Sequence, residues 1–312
     1  MPDSLIIGSR GSKLAMRQAE TAKARLALLY PAIDIRIEII KTEGDVSTDP
    51  LSVIGGKGIF TKELEDALLD GRIDLAVHSL KDLPTILPDG LAISAICERE
   101  DPRDALVLRN DPQTTNGSRF SLLSLPEGAV VGTSSPRRLA QLKCLRSDVI
   151  VKDLRGNVDT RLRKLDEGQY HALILASAGL RRLGLENRIS VAIPTDEMLP
   201  AVGQGAVAIE TRSDDQFAIE TVSKLNHTET RIACTAERAL LRSLGGGCQL
   251  PIAAHGVVCS HQLRLEGLVA KPDGSQFVRE SMAASVNYPE ELGAKLAARL
   301  INLGAEGLLR EQ

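Results

Sequence analysis

The sequence predicts an α/β chain of two α/β domains followed by a smaller α+β C-terminal domain. Three observations predict it. Apolar strands alternate with amphipathic helices from Leu5 to Ser79, the alternation restarts at Ala105, and beyond Thr228 one long helix precedes strands that neighbour one another in sequence. The 312 residues suit several domains, because single hydrophobic cores stop growing at about 250–300 residues.

Residues 5–8 read as a buried strand, 13–29 as a helix closed by Pro31, and 33–41, alternating or β-branched, as the next strand. Residues 60–69 place Leu64, Ala67 and Leu68 on one helical face before Gly71, and 74–79 form a short apolar strand. This βαβ order predicts a mostly parallel sheet, with ligands beyond the carboxyl ends of its strands. In the second unit, strands are expected at 105–109, 130–133, 149–154 and 172–177, helices from Arg137 and Val158, and a surface excursion at 110–124. A helix over about 228–244 leads to strands at 252–259, 263–270 and 277–281 and a closing helix from Pro289, the order of an antiparallel sheet. The Pro and Gly of 199–205 mark a crossing, after which an apolar strand is expected to return to the first domain. The domains therefore fall at 1–100 with 201–220, at 104–199 and at 223–312.

A net charge of −3 gives no global pull toward nucleic acid or an anionic membrane. With no Trp, three Tyr and four Phe, charge rather than stacking must do the recognition. The amino terminus has no apolar run of signal-peptide length, and no later stretch approaches the roughly 20 apolar residues of a membrane helix, so a cytoplasmic protein is expected. The five cysteines, Cys97, Cys144, Cys234, Cys248 and Cys259, contain no C-x-x-C pair, which predicts neither a disulfide framework nor a metal site.

Three groups of residues carry chemistry. Gly245-Gly246-Gly247-Cys248 follows the long helix, and its glycines let backbone approach a bulky adduct while leaving the thiol on a tight loop. The same string also describes a small buried cysteine past a helix end. In His78-Ser79-Leu80-Lys81-Asp82-Leu83-Pro84, at a strand end, Asp82 is the leading catalytic group, placed to stabilise a developing cation. Its alternative is a turn cap, and Lys81 reads either as a Schiff-base lysine or as a carboxylate partner. The third group is basic: Arg10 with Ser12, Thr133 to Arg138, Arg155 to Arg161, and Arg181-Arg182, each where a strand ends and a helix begins. Helix N-termini favour anions and arginine adds bidentate pairing with carboxylates, although each cluster singly also fits a surface salt-bridge face. Gly55-Gly56-Lys57-Gly58-Ile59-Phe60 lacks the order of a phosphate-binding loop and reads as a flexible lid or an ordinary loop. A solute-binding module with arginines between two α/β domains, and a Lys81 Schiff-base enzyme, are the competing readings.

Seven strings in order, R-G-S-K-L-A-M-R-Q, G-G-K-G-I-F-T-K-E-L-E, H-S-L-K-D-L-P, G-T-S-S-P-R-R, R-G-N-V-D-T-R-L, L-P-A-V-G-Q-G-A and G-G-G-C-Q-L-P-I-A, resemble the porphobilinogen deaminase (hydroxymethylbilane synthase) family across nearly the whole chain. The chain departs from it at Met16 or Arg17, where many relatives carry an aromatic, and at Pro136 before the Arg pair. The resemblance implies two periplasmic-binding-protein-like α/β domains around a cleft plus the α+β domain. It also implies a transferase of haem- and chlorophyll-type tetrapyrrole biosynthesis. Such an enzyme joins four porphobilinogen molecules head to tail on a dipyrromethane cofactor, thioether-linked to Cys248, and releases the linear tetrapyrrole hydroxymethylbilane. By the same resemblance, Asp82 hydrogen-bonds pyrrole nitrogens and stabilises positive charge as ammonia leaves and an azafulvene forms. Ser79, Lys81, Asp82, Thr133, Ser135, Arg137, Arg138 and Arg155 would hold the cofactor. Arg10, Ser12, Arg155, Arg161 and Arg182 would bind the acetate and propionate groups of substrate, and Lys57 and Phe60 would belong to the lid. The implied partners are porphobilinogen and the growing oligopyrrole on a monomer, with no nucleic acid, membrane or metal. Because that oligomer must stay in one protein, hinge movement is expected at 98–104 and 200–203, which carry Pro and Gly.

Overall fold

The computed structural model describes residues 4–46, 60–109, 121–247 and 249–310. The first lobe holds β1 (Ser4–Ser9), α1 (Lys13–Leu29), β2 (Asp34–Ile39), α2 (Lys62–Leu69), β3 (Leu75–Ser79) and β4 (Leu91–Ile96). The chain crosses to a second lobe of β5 (Asp104–Leu108), β6 (Val130–Gly132), α3 (Pro136–Leu145), β7 (Ile150–Lys152), α4 (Val158–Asp166), β8 (Ala172–Ala176), α5 (Ser177–Arg182) and β9 (Val191–Ala192). It crosses back through β10 (Val207–Arg212) and α6 (Gln216–Ser223). A third domain follows, with α7 (Thr228–Ser243), β11 (Ile252–Cys259), β12 (Gln262–Ala270), β13 (Phe277–Ser285), α8 (Pro289–Asn302) and α9 (Ala305–Arg310).

Local chemistry sets these elements. Ser12 caps α1 by accepting from the Ala15 N–H, and the helix buries Ala15, Ala19, Ala22 and Leu26, a stripe at helical spacing. Pro136 sits at the start of α3, where its missing N–H costs nothing, so the departure noted in the sequence is an ordinary helix start.

The two five-stranded sheets share one order, β2-β1-β3-β10-β4 and β7-β6-β8-β5-β9. In each, three neighbouring strands run parallel and the next is antiparallel to both its partners: β10 between β3 and β4, β5 between β8 and β9. Four of the five strands in each sheet share one direction, the mostly parallel arrangement expected from the sequence, and one strand is reversed. The physical reason is that both antiparallel strands begin where the chain arrives from the other lobe. They enter from the end at which their neighbours finish, whereas local βαβ order describes only strands joined within a lobe.

The third sheet, β11-β12-β13, is antiparallel throughout. Its two faces follow the period of two. Ala254, Leu265 and Val269 pack under α7 and α8 with Leu240, Leu296 and Leu300, while Ala253, Leu268 and Ala270 pack on Ala140 of α3 and on Leu199. The third domain is thereby bolted to the second lobe by one face of its sheet.

Candidate active site

β3 runs out at Ser79 into a single turn, Leu80–Asp82. Leu80 and Leu83 are buried with Ile96, Ala206, Ala208 and Cys234, so the half-buried Lys81 and Asp82 are pinned between two apolar anchors. Gln18 of α1 donates to the Ser79 hydroxyl at 2.9 Å. Lys81 Nζ donates to Gln204 Oε1 at 3.5 Å. Burial pushes the Lys81 ammonium down to about 8, opposed by Asp82 and Asp104 and reinforced by Arg138 and Arg137.

Across from this turn, the loop after β6 prepares α3. Thr133 Oγ1 accepts from the Ser135 N–H, and Ser135 caps the helix. Arg137 and Arg138 are buried and both grip the fully buried Asp104 at the start of β5. Arg137 donates to Asp104 Oδ2 at 2.7 Å and to the Leu199 carbonyl at 2.8 Å; Arg138 donates through Nε to Asp104 Oδ1 at 2.9 Å and to the Ile174 carbonyl at 3.0 Å. Burial alone would raise the Asp104 carboxyl, but the two guanidiniums beside it hold it far below the usual carboxylate range. Burial also pushes Arg138 down, against the pull of Asp104. Gln204 completes the network, accepting from Lys81 and Arg138 and donating to Asp104 and to the Pro102 carbonyl. Sequence reasoning missed Asp104 and Gln204. The available signal was an acid heading an apolar strand, which a buried position allows only beside a cation.

Of the remaining cations, Arg161 neighbours Arg138 and Arg155. Arg155 donates to Asp153 at 3.1 Å. Arg161 donates through Nε to the Gly156 carbonyl at 2.7 Å and makes no other hydrogen bond among the described residues. Burial pushes Arg161 down to about 10, as do Arg138 and Arg155, while Asp153 and Asp82 pull it back, so Asp82 of the first lobe and Arg161 of the second share one electrostatic neighbourhood. Arg182 donates to the Gly205 carbonyl at 2.6 Å. Ser134, unassigned in the sequence, both donates to and accepts from Leu154, tying the loop before α3 to the one that carries Arg155. Arg10 stacks over the ring of Phe60, its guanidinium carbon 4.2 Å from the centroid. At the rim, Lys13 of α1 pairs with Asp159 of α4 across the lobes at 2.5 Å. Cys248 and Lys57 lie outside the described residues.

The geometry divides the sequence-predicted residues. Lys81, Asp82, Arg138, Arg155 and Arg161 converge, whereas Ser12 and Ser135 serve as helix caps and Arg137 is spent on Asp104 and a carbonyl. A half-buried guanidinium whose Nη groups meet no acceptor among the described residues, within the field of Asp82 and Arg138, suits a ligand carrying several carboxylates and N–H donors. Dipyrromethane is such a group.

Two α/β lobes facing across a cation-lined cleft, with a third domain joined to one of them, define a bilobal protein built for a polyanionic ligand. Residues 5–220 match the family model described as porphobilinogen deaminase, dipyromethane cofactor binding domain, and residues 231–302 match that of the porphobilinogen deaminase C-terminal domain. The chain belongs to the porphobilinogen deaminase family. It is 51% identical over 309 residues to the porphobilinogen deaminase of Chromobacterium violaceum, covering 98% of this chain and 97% of that one. The Pelobacter propionicus enzyme of the same name is 49% identical over 311 residues, covering 99% and 97%. Among solved structures, the periplasmic aliphatic sulphonate binding protein SsuA from Escherichia coli aligns with a TM-score of 0.41 at 18% identity, over 78% of this chain and 71% of that chain. Among the described residues, no helix is long and apolar enough to cross a membrane.

Proposed function

We propose that this chain is the transferase that makes hydroxymethylbilane: four porphobilinogen molecules lose ammonia and join head to tail, and water releases the linear product. The observation that carries the reading is Asp82, fixed by its apolar neighbours within the field of Lys81 and Arg161. A carboxylate there stabilises positive charge that develops on a substrate pyrrole as ammonia leaves. Arg155, Arg161, Arg182, Arg10 and Lys81 take the acetate and propionate groups, with Thr133, Ser135 and Ser79 lining their approach. Arg138 contributes to this positive wall, and Arg137 acts chiefly by holding Asp104 and the Leu199 carbonyl. When bound, dipyrromethane supplies the free α-carbon to which the first unit is joined, and Cys248 is its point of attachment. Phe60, under Arg10, belongs to the lid expected from the sequence, of which Lys57 lies outside the described residues.

The same reading makes the protein a cytoplasmic monomer that meets neither nucleic acid nor metal. Its domains are 1–100 with 201–220, 104–199 and 223–312, and the sheet memberships of β10 and β5 support that division.

Intact mass with peptide mapping tests the reading. A mass excess of two pyrrole units on the Cys248 peptide is expected. A chain of bare amino-acid mass that still makes tetrapyrrole at full speed overturns it. The depressed Lys81 is the one feature that favours a Schiff base instead; borohydride treatment with substrate is expected to leave the Lys81 peptide unmodified.

A further inference from the structure

The helix that leads toward Cys248 also reaches back to Asp82. α7 lies against the first lobe through Cys234, fully buried in the cluster of Leu80 and Leu83. One turn further along the same face, the buried Arg238 donates through Nη2 to the Pro84 carbonyl at 2.6 Å and through Nη1 to the Leu83 carbonyl at 3.3 Å. The adjacent Glu237, also buried, accepts from Arg99 at 2.6 Å and from the backbone N–H groups of Gly203 at 2.7 Å and Gly256 at 2.8 Å. Successive helical residues point about 100° apart, so α7 holds the interlobe crossing with one side chain and the loop after Asp82 with the next. Beyond Leu83 the chain has no helix or strand until β4, so that loop is not held by a backbone ladder on this side. Charge-assisted bonds from a buried guanidinium are among the stronger ties available there.

We infer that Arg238 is a positioning residue for the reaction. It holds the Leu83 and Pro84 carbonyls and so fixes the Asp82 carboxylate relative to α7, whose last turn delivers the chain to Gly245-Gly246-Gly247-Cys248. One helix thus carries the contacts that hold the Asp82 turn against the third domain. The inference rests on the reading of Asp82 as the catalytic carboxylate. It was not visible in the sequence, where Arg238 is one of several polar residues on an amphipathic helix.

The test compares holoenzymes of R238M, R238K, D82E, D82A and the double variant D82E with R238M. R238M is expected to carry the adduct by intact mass and to keep its KM for porphobilinogen within about twofold. Its kcat is expected to fall on the order of ten- to a hundredfold, the scale of a small misplacement at a reacting centre. R238K, which keeps a charged donor, is expected to recover part of that loss. Independently of activity, amide exchange at Leu83 and Thr85 is expected to accelerate in R238M while β3 stays protected. In the D82E background, where the carboxylate is already displaced, R238M is expected to add less than its full factor. Wild-type kcat in R238M, unchanged exchange at Leu83 and Thr85, or a full multiplicative loss in the double variant overturns the inference. If R238M does not fold, R238Q takes its place for every readout. Full turnover in D82A overturns the reading of Asp82 itself, whereas an inactive D82A beside a fully active R238M overturns only the role of Arg238.

Discussion

Asp104 shows how one residue can serve both stability and chemistry. It neutralises part of the charge of Arg137 and Arg138, which keeps two guanidiniums buried without placing the cleft under excessive repulsion. D104N is expected to cost about 3–5 kcal/mol, the range for stranding one side of a buried pair, measured by denaturant unfolding. The pH dependence follows from the direction of its shift. The folded carboxyl is depressed, so its contribution is complete above the ordinary pKa of about 4 and is lost progressively as pH falls from there through the much lower folded value. Lys81 is also depressed, but by burial of its charged form rather than by a stabilising partner. In the cofactor-free protein its ammonium is expected to titrate near 8, read by the pH profile of competitive amine labelling at the Lys81 peptide; the ordinary value of 10.5 would show that burial is not felt there. Between those two values the unfolded chain holds a proton that the folded chain has released, so this group makes stability rise with pH across that window. Of these residues, Lys81, Arg137 and Arg138 stand out in the sequence because they sit in dense local motifs, although nothing there says that Arg137 is held by an acid on another element. Asp104 and Gln204 were not, since their partners lie on other elements and sequence spacing does not record such contacts.

At the scale of elements, most helices and strands were legible because period and punctuation agree. α1 runs from a serine cap to the residues before Pro31, and the three strands of the last sheet alternate as their faces require. What local pattern does not carry is direction. β10 and β5 are apolar strands like their neighbours, and nothing in their composition says that they run antiparallel. Their geometry depends instead on the two crossings, which lie side by side: the Glu100 N–H donates to the Gly205 carbonyl at 3.0 Å. Gly205 has φ +88°, and a Cβ there would stand 2.3 Å from the Glu100 carbonyl oxygen. G205A is therefore expected to destabilise the protein by at least about 1–3 kcal/mol, the cost of a left-handed non-glycine backbone alone, with a lowered denaturation midpoint as the readout. A midpoint equal to that of the parent would mean that the crossing relaxes freely.

For the whole molecule, the crossings carry hydrogen bonds and the Arg99–Glu237 pair but no helix or strand of their own, and such segments open at lower cost than sheet centres. Amide exchange in 98–104 and 200–203 is expected to exceed that of β3 and β8. Protection equal to the core in every chain-length intermediate would show that the lobes do not pivot there. The overall division into two lobes and a third domain was legible because its signals recur along the chain. The bolting of that third domain to α3 was not, because Ala140, Leu199 and Ala253 are unremarkable apolar residues until the fold brings them together. The placement of β10 has one more consequence. Among the described residues β4 pairs with no other strand, so a chain emerging from the ribosome exposes that sheet edge until Val207–Arg212 has been synthesised. The amino-terminal lobe cannot close during translation before the second lobe is complete, which makes the interval between the two a natural point for chaperone capture.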